Sequence, residues 1–256
     1  MGKVSVLMLR APGTNCDAET GFAFQQAGAV VSLVHVNQLI CREERLADYQ
    51  VMVVPGGFTY GDDIAAGRVL ANELKVKLEE DILRFIEDGK LILGICNGFQ
   101  VLVKAGFLPE PSQHLPQLLT FSTNDSGKFE CRWVHLGVNK ECSCVFTEGI
   151  DTMYLPVAHA EGKVVTDLEV LPRLKVALYY VDEHGNTSVG YPYNPNGSVD
   201  NIAGICDASG RVFALMPHPE RHIRGTQHPQ WTRLGANEYG DGFQIFRNAV
   251  EWAKNL

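Results

Sequence analysis

The chain has 256 residues, 45% of them hydrophobic and 20% charged, with a formal net charge of −8; these are ordinary values for a soluble globular protein with one large core, and they exclude a disordered chain. The 22 Lys and Arg are scattered rather than clustered, which argues against a groove that tracks nucleic-acid phosphates. No apolar run reaches the roughly 18 residues of a membrane span, and seven cysteines without repeated spacing or a signal sequence suit a reducing cytoplasm.

An apolar strand is expected over 3–9, followed by Pro12-Gly13 and a helical segment over 17–27. A second strand covers 30–36 and a third 51–54, the latter running into Pro55-Gly56-Gly57. One long helical pattern spans 67–87 and stops at Gly89. The run Leu91-Ile92-Leu93-Gly94-Ile95 then reads as a buried strand, Gly94-Ile95-Cys96-Asn97-Gly98 as a tight turn, and the apolar segment closed by Gly106 as a helix. Alternating strands and helices of this kind specify an α/β fold with a doubly wound, mostly parallel sheet and helices on both faces. Such sheets bind ligands at the carboxyl ends of their strands.

The strand–turn–helix around Cys96 has a chemical use. A sharp elbow pushes its central residue out of the sheet edge, and Gly94 and Gly98 leave room for the chain to approach. Cys96 would then stand at the positive end of a helix, where the thiolate is favoured. Pro55-Gly56-Gly57 ends its strand at the same edge, and two successive glycines can turn a backbone N–H toward a developing oxyanion. The loop that follows, Phe58 to Asp63, could cover a site; Asp62 and Asp63 fit a helix cap better than a catalytic carboxylate.

Past Phe107 the periodicity changes. Pro109, Pro111 and Pro116 interrupt the chain, and segments at 118–121, 129–138, 153–159 and 176–181 alternate like strands, so an antiparallel extension of the sheet is expected. Cys142-Ser143-Cys144 lacks the second pair that a zinc site needs and is assigned to the core; no metal site is expected. A hairpin over 202–206 and 211–216 delivers Pro217-His218-Pro219-Glu220, where the proline holds His218 extended and Glu220 can bend back to the imidazole. His159-Ala160-Glu161 has the same spacing and His222 is a further competitor; the flanking prolines and the preceding strand favour His218. The last element is an amphipathic helix over 241–254.

Cys96, His218 and Glu220 with backbone donors form a set that attacks an amide carbonyl and leaves a thioester for water to clear. No phosphate-binding glycine motif for ATP or NAD accompanies it. The stretches GGFTYGD at 56–62, GICNGFQ at 94–100 and MPHPER at 216–221, with APGTNCD at 11–17 and PVAHAEG at 156–162, resemble the class I glutamine amidotransferases over most of the chain. Within that family the likeness is to glutaminase subunits or domains of de novo purine synthesis.

The resemblance implies a single amidotransferase domain over 1–256. Cys96 would be the nucleophile, His218 the base, Glu220 its partner, and the backbone at Gly57 and Asn97 the oxyanion hole. Gly56, Phe58, Gln100, Asn124, Phe129 and Arg132 would line the substrate pocket. L-glutamine is the implied substrate. The ammonia would pass to a synthetase subunit that makes the amidine of formylglycinamide ribonucleotide, with ATP and Mg on that partner, no cofactor in this chain, and a small third subunit in the complex. Ala160 departs from the family's usual glycine. Related cysteine-elbow peptidases lack the late Pro-His-Pro-Glu, and a catalytically silent subunit would have no use for an intact triad.

Overall fold

The computed structural model describes residues 2–111 and 117–256, so Pro116 lies outside the described residues. The strands are β1 (Ser5–Arg10), β2 (Val30–His35), β3 (Val51–Val54), β4 (Leu91–Ile95), β5 (Leu119–Ser122), β6 (Glu130–Val138), β7 (Thr152–His159), β8 (Lys163–Thr166), β9 (Lys175–Val181), β10 (Ile202–Cys206) and β11 (Val212–Leu215). The helices are α1 (Asp17–Gln26), α2 (Val36–Ile40), α3 (Arg68–Lys77), α4 (Glu79–Glu87), α5 (Asn97–Ala105), α6 (Trp231–Leu234) and α7 (Phe243–Ala253). Nine strands form one sheet in the order β2-β1-β3-β4-β11-β10-β9-β6-β7. From β2 to β11 the neighbours are parallel, and from β11 to β7 they are antiparallel.

The central strands carry continuous apolar sequence because both of their faces are covered. Every residue of β3, β4, β10 and β11 is buried. Phe24 of α1 meets Phe246 of α7 edge to face at 5.1 Å, while α3 packs on α5. At the antiparallel end β7 alternates, with Met153, Leu155, Val157 and His159 turned inward.

Two expectations change. The pattern over 67–87 is two helices rather than one, because Leu78, at φ −129° and ψ 5°, breaks the turn. Leu78 is buried there, and Glu79, Glu80 and Asp81 start a fresh helix with acidic residues at its positive end. The segment 118–121 does not extend the main sheet. It pairs as β5 with β8 in a separate two-stranded ribbon, Leu119 opposite Thr166, and does not join the edge strand β7.

Candidate active site

The register of the central strands assembles the site. Ile95 at the end of β4 pairs with Leu215 at the end of β11, and the Cys96 amide donates to the Leu215 carbonyl at 2.8 Å. Cys96 and His218 therefore leave adjacent parallel strands at the same edge. Val54 pairs with Gly94 on the other side of β4, which brings Gly56 and Gly57 to that edge as well.

Cys96 has φ +51° and ψ −105°, a conformation that a non-glycine residue holds only when its surroundings enforce it. The enforcement comes from α5 lying hard against β3: a Cβ on Gly98 would stand 1.8 Å from the Val54 carbonyl oxygen. The elbow directs Cys96 Sγ toward the Ala158 carbonyl, 3.8 Å away on β7. Cys96 is 6% exposed. Asn97 opens α5, so its amide is one of the N–H groups with no partner inside the helix. Gly57, at φ +147°, sits in a bridge to Thr14 whose bonds are made on either side of it, from the Phe58 amide to the Gly13 carbonyl at 3.0 Å and from the Asn15 amide to the Gly56 carbonyl at 3.5 Å.

His218 is extended, at φ −105° and ψ 91°, as the following proline requires, and its amide donates to the Pro156 carbonyl at 2.8 Å. Its Nδ1 lies 2.6 Å from Glu220 Oε1 with both side chains buried. Nδ1 carries the proton in that bond, and Nε2 is left buried without a hydrogen-bond partner among the described residues. Burial by itself would lower the His218 pKa, but the Glu220 carboxylate and the sulfurs of Cys96 and Cys16 outweigh it and hold the pKa well above the usual histidine value.

The competing histidines have other partners. His159 Nδ1 meets Asn124 Oδ1 at 3.2 Å, and burial, aided by nearby His218, lowers its pKa to about 4. Its sequence neighbour Glu161 turns away to accept from the Ala66 amide at 3.3 Å and to pair with Lys104 at 3.4 Å. His222 Nδ1 lies 2.8 Å from the Tyr154 carbonyl oxygen, and its ring packs edge to face on Trp133. Only His218 has a carboxylate of its own among these three.

The other sequence-derived site residues divide into holders and rim. Asn97 accepts from Thr59 Oγ1 at 2.7 Å and donates to Asp62 and to Gln100 Oε1, both at 3.1 Å. Gln100 Nε2 in turn donates to the Glu161 carbonyl. Asn124 donates to the carbonyls of Lys128 and His159 at 2.9 and 2.8 Å and accepts from the Gly162 amide at 3.0 Å. The side chains of Gln100 and Asn124 thus fix the 159–162 segment beside Cys96. Asp62 accepts from the Gly67 amide at 3.2 Å, tying down the turn before α3 as the cap reading expected. Phe58 and Phe129 are about half exposed, while Arg132 pairs with Glu130 at 2.6 Å and lies over the Tyr191 ring.

Two further residues stand at the base that the sequence reading left out. Cys16 lies beside the His218 ring, and Arg221 Nη2 donates to its sulfur at 3.2 Å. Their sequence separation of 205 positions offers no local signal.

The CobB/CobQ-like glutamine amidotransferase domain matches residues 3–253. The chain belongs to that glutamine amidotransferase family. It is 56% identical, over the full length of both chains, to phosphoribosylformylglycinamidine synthase subunit PurQ of Dehalococcoides mccartyi. The PurQ subunit of Methanococcus maripaludis is 43% identical over 96% of each chain. Among solved structures, PurLQS from Thermotoga maritima superposes with a TM-score of 0.75 at 32% identity, covering 98% of this chain and 99% of that one. A Thermoplasma acidophilum protein described as a GMP synthase subunit shares the fold, with a TM-score of 0.59 at 13% identity.

Proposed function

We propose that the chain is the glutaminase component of phosphoribosylformylglycinamidine synthase, hydrolysing L-glutamine at Cys96 and delivering ammonia to a synthetase subunit. The observation that carries the chemistry is the buried 2.6 Å contact between His218 and Glu220, one strand away from a nucleophile elbow. The pathway rests on the full-length likeness to PurQ subunits.

The raised pKa of His218 favours an imidazolium beside a Cys96 thiolate, the charge-separated pair that attacks an amide. The thiolate adds to the glutamine side-chain carbonyl carbon, and the amides of Gly57 and Asn97 receive the oxyanion. His218 gives the Nε2 proton to the leaving nitrogen, the C–N bond breaks, and ammonia departs from a glutamyl thioester. Water then loses a proton to Nε2 as it attacks the thioester, and glutamate leaves with thiolate and imidazolium restored. Glu220 keeps Nδ1 protonated throughout, so Nε2 is the nitrogen that carries the transferable proton. This thiol chemistry needs no metal or nucleotide; ATP and Mg act on the synthetase partner, and a small third subunit completes the complex. Seven free cysteines support a reducing, cytoplasmic setting.

Glutamate release by the purified chain, with and without the synthetase subunit, tests the reading against a Cys96→Ala control. Release that rises with the partner and disappears in the variant is expected. Release indifferent to the partner would place the chain in another acceptor pathway.

A further inference from the structure

Cys16, His218 and Glu220 converge on one point. A sulfur, an imidazole nitrogen and a carboxylate oxygen from them lie within 4.8 Å of one another, and all three residues are buried. Cys16 is delivered from the turn between β1 and α1, where its amide donates to the Gly56 carbonyl at 3.2 Å. A Cβ on Gly56 would stand 3.1 Å from Cys16 Sγ and 3.0 Å from His218 Cε1, so it is a glycine that lets the sulfur and the ring share this space. Glu220 Oε2, the carboxylate oxygen not engaged with His218 Nδ1, is buried with no hydrogen-bond partner among the described residues. Buried groups in that condition carry a desolvation cost that a cation would relieve. The Cys16 sulfur takes no covalent part in hydrolysis through Cys96.

We propose that Cys16, His218 and Glu220 form a binding site for a thiophilic divalent cation of the Zn2+ type, and that occupation of the site disables the catalytic base. The donors are one sulfur, one nitrogen and one oxygen, the mixture that zinc accepts in tetrahedral coordination; magnesium and calcium need a shell of oxygens. Bonds of about 2.0–2.3 Å place the ligand atoms of such a tetrahedron about 3.5 Å apart, so small side-chain rotations close the cluster around the ion, with water in the fourth position. Coordination at Nδ1, the nitrogen that faces Glu220, displaces the Nδ1 proton and the Cys16 thiol proton to solvent; the ring then keeps a proton on Nε2 but has no lone pair to take one from water, and it can no longer form the imidazolium that protonates the leaving nitrogen. Arg221 opposes the ion, since it donates to Cys16 Sγ at 3.2 Å and stands 3.8 Å from Glu220. It must swing aside, which makes the site a reversible inhibitory one rather than a structural one. Inhibition rests on the glutaminase reading; cation binding does not.

The test titrates the full-length Cys96→Ala chain with Zn2+ against a chromophoric chelator, which removes the nucleophile as a stray ligand. Cys96→Ala/Cys16→Ser and Cys96→Ala/Cys142→Ser chains run beside it, with circular dichroism checking that each is folded. One zinc per chain is expected, held at least about tenfold more weakly once Cys16 is replaced and as tightly once Cys142 is replaced. Equal affinity with and without Cys16, no binding at all, or a loss that follows Cys142 would each overturn the proposal. In the glutamate-release assay, Zn2+ should inhibit the Cys96-containing complex, and Cys16→Ser should raise the concentration for half inhibition. A chain that binds zinc through Cys16 yet releases no glutamate upholds the site and overturns the glutaminase reading.

Discussion

In the proposed glutaminase, a carboxylate buried beside an imidazole would set the working range of Cys96. Glu220 is a principal reason that the His218 pKa stands above its ordinary value, so Glu220→Gln should move the alkaline limb of kcat/KM toward lower pH and reduce kcat by about 10²-fold or more. An unshifted limb would mean that Glu220 does not govern the base. The same shift has a stability consequence. A histidine with a raised folded pKa contributes stability that is fully present below its unfolded value, near 6.5, and lost as pH rises through the folded value. His159 acts in the opposite sense. Lowered to about 4 by burial, it stays neutral while the unfolded chain takes up a proton, so stability falls as pH drops from about 6.5 toward 4. His159→Gln should flatten that acid-side loss, worth at most about 3 kcal/mol, in urea titrations across this range. At this scale His218 was legible because Pro219 forces it extended, and Glu220 because it follows at reach. Spacing alone did not rank His159-Ala160-Glu161 lower; the prolines beside His218 did, and the physical reason lies in Asn124 and Lys104, which arrive from other elements.

The elbow is the element on which the site depends, and its tolerance is set by helix-to-strand distance. Gly98→Ala would drive a methyl group into the Val54 carbonyl, so α5 must lift from β3; a loss of about 2–4 kcal/mol of unfolding free energy in denaturant titrations is expected, together with loss of activity. A neutral effect would mean that α5 does not sit this close. Asn97 joins the same helix to the loop beyond Gly57 through Thr59 and Asp62, and Asn97→Ala should loosen that loop, detected as faster amide exchange over 58–63. Glycine spacing exposed the elbow because a single close approach demands it. The break at Leu78 was less visible: no Gly or Pro marks it, and only the acidic start of α4 records a new helix end. The β5–β8 ribbon was misplaced for a related reason, since alternation reports one covered face but not which sheet a strand joins.

Across the whole molecule, the parallel half of the sheet builds the edge that carries the candidate site, and the antiparallel half supplies the segment beside it. Cys96, Gly57 and His218 follow the carboxyl ends of β4, β3 and β11, while Ala158 and the 159–162 segment come from the end of β7. The parallel character of this half could be read from strand–helix alternation in the first 106 residues. Which strand lies beside β4 could not, because β11 is contributed from more than 100 residues away and its place depends on packing of the whole sheet. The central claim is that this convergence makes Cys96 the atom that holds the acyl group. The most direct measurement is rapid acid quenching of the chain, with its synthetase partner and isotopically labelled glutamine, followed by peptide mass spectrometry. A glutamyl adduct on the Cys96 peptide that forms before steady state, and that is missing in Cys96→Ala, is the predicted result. Labelled glutamate released at full rate with no adduct on Cys96, or with the adduct on Cys16, would contradict it.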